Sequence, residues 1–390
     1  MTILLGAEVL LRERLPLLQG ARVGAVVHPA SVLSDLSHTA DVLFGHESVN
    51  LVALFGPQHG ARAEKQDNMI ESEHYHDPDT GLPVHSLYSE TRRPTEAMMR
   101  DVDTLLYDLQ DVGTRVYTFI HTMAYCMEAC AQFGKRMVVL DRPNPINGRQ
   151  VEGNLLGDRF RSFVGLHPLP MRHGMTVGEL ALLFNREFGI GCDLTVVAMK
   201  GWKRAMWFDQ TDLPWVMPSP NVPTLDSAIV YPGMVLAEGT RLSEGRGTTR
   251  PFEFVGAPYI GARRLAEELN SLDLPGIHFR PAYFQPTFQK WAGQTCGGVQ
   301  LHVRQREIFE PYLTGVAVLV TIRKLHPEQF EWREPPYEYE LDRLPIEILC
   351  GSRGIVDLIE GGASPEQIRD SWRSDVANFM KQREPYLLYE

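Results

Sequence analysis

The stretch at 103–121, DTLLYDLQDVGTRVYTFIH, constrains the fold more than any other part of the chain. It begins with a short apolar run at 104–107, passes through a polar turn, and continues into 117–133, where apolar residues recur at helical spacing. This order predicts a β-strand, a turn and an amphipathic helix. Functional groups in open parallel sheets gather just beyond the carboxyl ends of the strands. Four polar side chains occupy that position here: Asp108, Gln110, Asp111 and Arg115.

Similar units flank this stretch and predict an α/β fold. Continuous apolar runs, which are typical of buried parallel strands, are followed by segments with helical periodicity. The predicted strands are 22–29, 50–57, 84–88, 136–140 and 194–199, and the predicted helices are 39–46, 95–100 and 176–188. Strands that alternate with helices indicate a doubly wound, mostly parallel sheet.

The predicted arrangement of helices and strands changes after the proline-rich segment at 214–223. A chain of 390 residues is long for one domain, so we predict two, at 1–225 and 226–390. The second is expected to be a smaller α+β domain that closes the active cleft. Its predicted helices are 226–236, 261–270, 355–360 and 365–383, and its predicted strands are 278–284 and 298–303.

Net charge, cysteine content and hydropathy restrict the function and the compartment expected for this protein. A net charge of −11 without any Lys/Arg run argues against nucleic-acid binding. The five cysteines form no CxxC pair, which favours a reducing compartment, and Cys126 and Cys130 are expected to pack in the core. No segment is long and apolar enough to predict a membrane span. We expect a cytoplasmic protein, or a secreted one if a signal sequence has been removed.

The carboxylates near strand ends are the strongest chemical signal. Asp108, Asp111 and Asp141 follow predicted strands, and Glu90 follows another. A structural role, such as helix capping or pairing with arginine, could explain any one of these carboxylates, and it fits Asp141 best. It is a weaker explanation for all four together. Glycoside hydrolysis needs two carboxyl groups, one to protonate the leaving oxygen and one to assist water or attack carbon. The sequence does not determine their separation.

Two loops are further candidate sites. The polar segment at 61–83 has the length of a lid or binding loop, and its Glu73, His74, His76 and Asp77 match no standard metal spacing. The segment at 238–250 combines arginines, glutamates and glycines, which suits recognition of an anionic group. A charged turn linked by Arg–Glu pairs explains that second segment equally well.

Several motifs resemble the exo-β-N-acetylmuramidase family of peptidoglycan hexosaminidases, formerly a domain of unknown function. They run in order through nearly the whole chain: GPQHG at 56–60, DLQDVGTRVYT at 108–118, DRPNP at 141–145 with EG at 152–153, PMRHGMT at 170–176, PSPN at 218–221, and EGTRLSEGRGT at 238–248. The resemblance implies a Rossmann-like domain, a smaller C-terminal domain and an active cleft between them. It also implies release of N-acetylmuramic acid from non-reducing ends of peptidoglycan fragments, without a metal or organic cofactor.

With this resemblance, we predict Glu90 as the acid and Asp111 or Asp108 as the group that assists water. Gln58, His59 and Arg115 are expected to position the sugar. Arg246 or Arg250 is expected to bind the lactyl carboxylate. The remaining predicted substrate-binding residues are Tyr117, Asn144, Glu152, Arg172, His173, Asn221, Glu238 and Glu244.

One departure from the family pattern qualifies the expected activity. Members generally carry Glu where this chain has Gln58, and an amide cannot exchange a proton as a carboxyl group does. A non-catalytic muropeptide-binding protein is therefore one alternative. A metal-dependent hydrolase using His59, Asp108 and Asp111 is another.

Overall fold

A seven-stranded, mostly parallel sheet forms the N-terminal part of the computed structural model, which describes residues 2–61, 71 and 73–390. The strand order is β3-β4-β2-β1-β5-β6-β7, and β3 alone among them runs antiparallel to its neighbour. The predicted fold class is confirmed. The strands are β1 (Arg22–Val26), β2 (Asn50–Gly56), β3 (Tyr75–His76), β4 (Pro83–Ser86), β5 (Thr104–Tyr107), β6 (Arg136–Leu140) and β7 (Asp193–Val197).

Five α-helices connect and cover these strands: α1 (Gly6–Val9), α2 (Thr39–Phe44), α3 (Glu96–Met99), α4 (Phe119–Phe133) and α5 (Val177–Glu187). Helix α5 begins as predicted, because the Thr176 hydroxyl accepts a hydrogen bond from the Glu179 amide and the Glu179 carboxylate accepts one from the Thr176 amide. Across the described residues, we find no helix that combines the length and apolarity needed to span a bilayer.

The central strand–turn–helix unit is present, with one corrected boundary. All four residues of β5 are buried, and the polar turn follows at its carboxyl end. Helix α4 begins at Phe119 rather than at Tyr117. The reason is that the Tyr117 amide donates to the Thr114 carbonyl and so closes a tight turn before the helix. Tyr117 therefore belongs to the turn.

The segment at 61–83 lies only partly within the described residues, because residues 62–70 and 72 fall outside them. Its expected role as a lid therefore stays a prediction. The described part contains β3, which pairs with β4 at the edge of the sheet and was not predicted. Two residues are too few to produce the alternation that identifies a strand in a sequence.

A smaller antiparallel sheet of order β8-β10-β9 lies in the C-terminal domain. Its strands are β8 (Phe254–Ala257), β9 (Ile277–Phe284) and β10 (Cys296–Val303). The helices are α6 (Leu225–Met234), α7 (Ala262–Ser271), α8 (Pro311–Leu325), α9 (Pro345–Cys350), α10 (Arg353–Gly361), α11 (Pro365–Ser371) and α12 (Arg373–Arg383). Strand β8 and helices α8 and α9 were not predicted. Helix α8 is buried along most of its length, so it lacks the polar face that marks an amphipathic helix.

The single helix predicted at 365–383 is wrong, because the structure has two helices there. The chain leaves helical geometry at Trp372, where φ is −118° and ψ is 8°. The Trp372 ring is buried and packs against Tyr312, with 5.0 Å between ring centroids. This large buried side chain lies at the break between α11 and α12.

Helices α6 and α8 pack closely enough to exclude side chains from their contact. A Cβ atom added to Gly233 would lie 1.8 Å from the Pro311 carbonyl oxygen, and one added to Gly315 would lie 2.2 Å from the Gly233 oxygen. Both positions therefore require glycine. Apolar residues of both domains form one continuous core, which holds the C-terminal domain against the N-terminal part.

Candidate active site

Side chains from both domains surround a cavity of about 40 Å³. The N-terminal part contributes the polar groups of Gln58, His59, Tyr117, Thr118, Ser219 and Asn221. The C-terminal domain contributes those of Glu238, Arg246, Tyr337 and Glu338. This volume accommodates a few water molecules, since one water needs on the order of 10–15 Å³ by the same kind of measure. The cavity is therefore closed to a sugar in this conformation.

Gln58 lies just beyond the carboxyl end of β2 and links the two domains. Its Oε1 accepts a hydrogen bond of 2.7 Å from the Thr118 hydroxyl. Its Nε2 donates at 3.2 Å to the Tyr88 hydroxyl and at 3.2 Å to Oε1 of Glu338. The amide suits this position because it accepts on one side and donates on the other.

Glu338 is the carboxyl group on the C-terminal side of this network. Its side chain is buried, and Oε2 accepts a hydrogen bond of 2.7 Å from the Tyr88 hydroxyl. Burial raises the pKa of Glu338 to about 7, and the nearby charge of Glu238 adds to this effect. The hydrogen bonds from Tyr88 and Gln58 and the charge of Arg246 lower the pKa and partly offset the burial.

A tight turn at 337–340 holds Glu338 over the cavity. The Tyr337 and Glu340 backbones exchange two hydrogen bonds, of 3.0 and 2.9 Å. The two central residues, Glu338 and Tyr339, have φ values of 44° and 70°. Neither residue is glycine, and a non-glycine residue at positive φ raises the conformational free energy of the folded chain by on the order of 1 kcal/mol or more. The surrounding contacts must therefore hold the turn in place.

Arg246 lies between two buried glutamates on the same wall. Its Nη2 is 2.6 Å from Glu238 Oε1, and its Nε is 3.2 Å from Glu244 Oε1. Burial alone lowers the pKa of Arg246, but the two carboxylates outweigh it, and the net shift is upward. Within the described part of the chain, Nη1 of Arg246 makes no hydrogen bond. That group is available to an anionic ligand.

Lys290 completes this charge cluster behind Arg246. Its Nζ is 2.8 Å from Glu244 Oε2 and also donates to two main-chain carbonyl groups. Burial lowers the pKa of Lys290, and the charge of Glu244 opposes that shift. The two glutamates and the two basic side chains balance in formal charge.

Asp111 lies close to the cavity, next to two of its aromatic side chains. Burial is the main cause of the raised pKa of Tyr117 and of Tyr231, and the charge of Asp111 adds to both. The Asp111 Oδ2 accepts from the Gly113 amide at 2.6 Å and lies 3.4 Å from His173 Nε2. Among the described residues, nothing donates a hydrogen bond to Oδ1 of Asp111 or bonds to the Tyr117 hydroxyl.

Asp108 has a different environment from Asp111, although only two residues separate them. Its two carboxylate oxygens accept from Arg142, at 2.6 Å from Nε and 2.9 Å from Nη2. Both side chains are buried. A buried pair with two parallel hydrogen bonds is strongly held. Asp108 therefore serves as the counter-ion of Arg142 in this structure.

Arg115 and Glu152 join the two domains away from the cavity lining. Arg115 is fully buried and donates to the main-chain carbonyl groups of residues 154, 169, 349 and 350. Glu152 accepts hydrogen bonds from the Tyr312 and Leu313 amides and so caps α8. Burial raises the pKa of Glu152 to about 7.

Three other predicted binding residues also bond to the framework. Asn144 donates to the Met175 carbonyl group and accepts from the Ile146 amide. Arg172 is fully buried and donates to the Ile146 carbonyl group, and burial lowers its pKa to about 10. His173 accepts from the Met175 amide on Nδ1, which leaves Nε2 facing Asp111.

Glu90 and Arg250 are not part of the cavity lining. Glu90 is exposed in the loop after β4. Arg250 is partly exposed and pairs with Glu253 and Asp226 beside a separate cavity of about 260 Å³. The structure therefore brings together Gln58, His59, Tyr117, Asn221, Glu238 and Arg246 of the predicted residues, with Glu244 directly behind Arg246.

The alternative metal site is not assembled among the residues that the structure describes. There, no group of three or more His, Cys, Asp or Glu side chains is arranged to hold a metal ion. His59 Nε2 lies 3.2 Å from the Ser219 hydroxyl, and Asp108 is bound by Arg142.

Two family models together match most of the chain. Residues 23–226 match the model described as exo-beta-N-acetylmuramidase NamZ, N-terminal, and residues 229–389 match the corresponding C-terminal model. The chain belongs to this family. The family expected from the sequence motifs is confirmed.

Relatives of the NamZ family agree in sequence and in fold. The peptidoglycan beta-N-acetylmuramidase NamZ of Bacillus subtilis (strain 168) is 49% identical over 384 residues, which span 98% of this chain and 91% of the relative. Crystal structures of two DUF1343 family proteins from Bacteroides fragilis NCTC 9343 superpose with TM-scores of 0.90 and 0.79. They are 38% and 30% identical, and each alignment covers 100% of this chain and 99% of the other.

The sequence did not single out Tyr88, Tyr337 or Glu338, although all three contribute to the site of this NamZ family member. Tyr88 and Glu338 are 250 positions apart, so no local spacing connects them. One signal was present in the run PPYEYE at 335–340, where acidic residues alternate with tyrosines after two prolines. Carboxyl groups among aromatic residues are candidates for a raised pKa.

Proposed function

We propose that this chain is an exo-acting β-N-acetylmuramidase that releases terminal β-linked N-acetylmuramic acid from non-reducing ends of peptidoglycan fragments. Membership of the NamZ family and the likeness to the peptidoglycan beta-N-acetylmuramidase of Bacillus subtilis support this reaction. The observation that carries it is the combination, in one cavity between two domains, of buried carboxyl groups with Arg246.

The carboxyl groups supply what glycoside hydrolysis requires. One group must protonate the leaving oxygen, and a second must assist water or stabilise the developing positive charge at C1. Asp111 suits the second role because one of its buried oxygens lacks a hydrogen bond within the described residues. Asp108 suits it less, because Arg142 occupies both of its oxygens.

Arg246 suits recognition of the lactyl carboxylate, the group that distinguishes N-acetylmuramic acid from N-acetylglucosamine. Arg246 lines the cavity, and its Nη1 makes no hydrogen bond to the described residues. The formal charges of this cluster, formed by Glu238, Glu244, Arg246 and Lys290, add up to zero. A carboxylate bound at Arg246 is therefore not repelled by a net negative charge of the cluster. Of the two arginines predicted for this role, Arg246 is favoured, because Arg250 lines a different cavity.

Substrate entry requires the cavity to open, since about 40 Å³ cannot hold a sugar ring. The turn at 337–340 is the segment best placed to move. It crosses the cavity and reaches the N-terminal domain through Tyr88 and Arg92. An exo-acting enzyme needs only a pocket for the terminal residue, and a turn that closes over such a pocket excludes water from the reaction.

The test is hydrolysis of the β-linked disaccharide N-acetylmuramyl-N-acetylglucosamine, with release of N-acetylmuramic acid measured by chromatography. The control substrate is N,N′-diacetylchitobiose, which lacks the lactyl group. We expect turnover of the first substrate and little of the second. Equal turnover of both would reassign the protein as a general hexosaminidase.

The non-catalytic alternative is motivated by the amide of Gln58, at a position where the motif resemblance implies a carboxyl group. Calorimetric titration with N-acetylmuramic acid distinguishes it from the enzyme. Binding of the sugar without turnover of the disaccharide would identify a muropeptide-binding protein.

A further inference from the structure

We propose that a further cavity, of about 400 Å³ and lying beside Lys290, is a second binding site and takes a sugar that carries a carboxylate. The identity of the sugar rests on the proposed function, because N-acetylmuramic acid belongs to this class. Among the described residues, the lining of this cavity and that of the active cavity have no member in common. We call the new site the Trp291 cavity, after the aromatic residue in its wall.

The Trp291 cavity is large enough for a sugar in the present conformation. Its volume is about 400 Å³, compared with about 40 Å³ for the active cavity. Small-molecule sites usually have volumes of roughly 300–1,000 Å³. Exposed Arg241 and Gln294 lie in its wall, so the cavity is reached from solvent. A sugar ring therefore fits without rearrangement, whereas the active cavity must first open.

Arg333 is the cation that the Trp291 cavity offers to a ligand. Its guanidinium lies against the Tyr337 ring, with 5.4 Å between Cζ and the ring centre. Across the part of the chain that the structure describes, no acidic side chain forms an ion pair with Arg333. Arginine binds a carboxylate through two parallel hydrogen bonds. A carboxylate on a ligand can therefore fill this place.

The two other basic side chains in the wall already have partners. Lys290 has three donors on Nζ, and they go to Glu244 Oε2 at 2.8 Å and to two main-chain carbonyl groups at 2.9 Å. Nε of Arg241 lies 3.3 Å from Glu331 Oε2, and both of these side chains are exposed. Arg333 is therefore the anchor that remains for a carboxylate.

Backbone contacts fix the position of Arg333. Its amide donates to the Gly239 carbonyl group at 3.0 Å, and the Arg241 amide donates to the Glu331 carbonyl group at 3.0 Å. These bonds pair two short antiparallel segments that both contribute to the cavity wall. A wall that is already ordered lowers the entropy that binding must remove, which favours affinity.

Trp291 supplies the apolar surface that suits a sugar ring. Its indole nitrogen donates to the Arg241 carbonyl group at 2.7 Å, so the ring surface is what remains for a ligand. Gln289 and Gln294 line the same cavity with amide side chains. Aromatic surface beside a few polar groups is the usual composition of a small-molecule site. The wall therefore matches a ligand that has an apolar ring face, hydroxyl groups and one carboxylate.

Lys290 connects the Trp291 cavity to the active cavity. It lines the first and pairs with Glu244, and Glu244 pairs with Arg246 in the wall of the second. Burial lowers the pKa of Lys290, and the charge of Arg333 adds to this effect. An anion bound at Arg333 offsets that charge and so favours the charged form of Lys290. A ligand in the Trp291 cavity therefore stabilises the ion cluster that holds Arg246.

The experiment follows the indole N–H resonance of Trp291 by NMR. Its loss in Trp291→Phe identifies it among the six tryptophans of the chain. N-acetylmuramic acid is titrated into wild type and into Arg246→Ala, in which binding at the active cavity is weakened. We expect the resonance to move in both proteins with similar dissociation constants. N-acetylglucosamine, which lacks the carboxylate, should bind there roughly 10–100-fold more weakly.

Arg333→Ala should weaken the binding that is measured at Trp291 by roughly 10–100-fold. The matched control is Arg304→Ala, which removes an exposed arginine from the cavity of about 260 Å³ and should leave the dissociation constant unchanged. Because Arg333 is not in the lining of the active cavity, its variant should keep kcat on the muramic disaccharide within a few-fold of wild type.

A second titration distinguishes the two sources of such a sugar, the released product and the intact fragment. The disaccharide N-acetylglucosaminyl-N-acetylmuramic acid carries its muramic residue at the reducing end, so an enzyme that attacks a non-reducing muramic terminus leaves it intact. Tighter binding of free N-acetylmuramic acid would identify a site for the product. Tighter binding of this disaccharide would identify a site for the fragment.

The outcomes separate this site from the proposed function. A Trp291 resonance that responds to neither ligand, or that responds equally in Arg333→Ala, would overturn the second site while turnover of the muramic disaccharide still stands. A wild-type chain without turnover whose Trp291 resonance responds would overturn the proposed function and retain a site for an acidic sugar.

Calorimetry with N-acetylmuramic acid keeps the test open if Trp291→Phe does not fold. Two sites per wild-type chain and one in Arg333→Ala would support the second site. The same number of sites in both proteins would overturn it.

Discussion

Three buried carboxyl groups share a pKa raised to about 7 by burial, yet their surroundings differ. Asp141, beside the large sheet, accepts from Thr176, from the Gly178 amide and from Tyr389. Glu152 caps α8. Glu338 lines the cavity. A perturbed pKa is therefore not a sufficient marker of a catalytic group, because burial produces the same shift in a structural one.

The carboxyl edge of the large sheet and the C-terminal wall of the cavity thus use buried charge differently. At the sheet edge, charged side chains form fixed bonds that hold the elements together, as in the pair of Asp108 with Arg142. On the C-terminal wall, Arg246 and Glu338 each present a polar group to the cavity. The predictions below test this division.

The largest expected effect is on stability at the sheet edge. Asp108→Ala leaves the buried Arg142 guanidinium without its counter-ion, which should lower the free energy of unfolding by about 3–5 kcal/mol. Urea denaturation measures the change. Asp158→Ala is the control, because its pair with Arg161 is exposed and should contribute far less. A stable Asp108→Ala protein that has lost turnover would place Asp108 in the catalytic machinery instead.

Arg246 should affect substrate recognition. Arg246→Ala is expected to lower kcat/KM on the muramic disaccharide by roughly 10–100-fold, the contribution of a charge-assisted hydrogen bond of about 1.5–3 kcal/mol. Any residual cleavage of the glucosaminide should change little. Arg246→Lys should restore part of the loss, since it keeps the charge but lacks the planar fork.

Arg250→Ala serves as the comparison for Arg246, because Arg250 lies at the other cavity. It should leave both substrates unaffected. If the Arg250 variant shows the selective loss and the Arg246 variant does not, the lactyl carboxylate is bound elsewhere.

Replacement of Glu152 should change the pH dependence of stability rather than the pH dependence of the rate. The folded pKa of about 7 lies above the ordinary value of 4.5, so between these pH values the folded chain binds a proton that the unfolded chain has released. The stability contributed by this group is therefore complete below about pH 4.5 and declines as the pH rises to about 7. In Glu152→Gln this decline should be absent, as measured by urea denaturation across that range. A shifted pH–rate profile would instead place Glu152 at the reaction.

Gln58→Glu tests the link between the two domains. It puts a second carboxyl group where an amide now lies 3.2 Å from Glu338 Oε1. Two carboxyl groups in one site cannot both ionise easily, so one pKa rises. We expect the fall of kcat/KM at high pH to move to higher pH on the disaccharide. An unmoved profile with a faster rate would show that position 58 itself supplies the acid in this family.

The smallest effect is expected for Glu90→Gln, because Glu90 is exposed outside the cavity. Its kcat on the disaccharide should stay within a few-fold of wild type. A loss of 10²-fold or more, selective for the disaccharide over a dinitrophenyl β-N-acetylmuraminide whose leaving group departs without protonation, would support the sequence-based assignment of Glu90 as the acid.

The sequence by itself determined the family and most of the sheet. Strands β1, β2, β5 and β6 lie within the apolar runs that predicted them, because a buried parallel strand must be apolar on both faces. The capping box of Thr176 and Glu179 could also be predicted from the sequence, since both of its hydrogen bonds join residues three positions apart. Features that depend on a few neighbouring residues leave a pattern in the chain.

Only the tertiary structure decided which charged residues face the cavity. Arg115 stands in a motif rich in polar residues, yet its partners include the carbonyl groups of residues 349 and 350, more than 200 positions away. Gln58 and Glu338 are 280 positions apart, and they meet where the two domains share one apolar core. Whether a charged side chain is buried and paired depends on such distant segments. The same residue types therefore stabilise the framework at the sheet edge but line the cavity in the C-terminal domain.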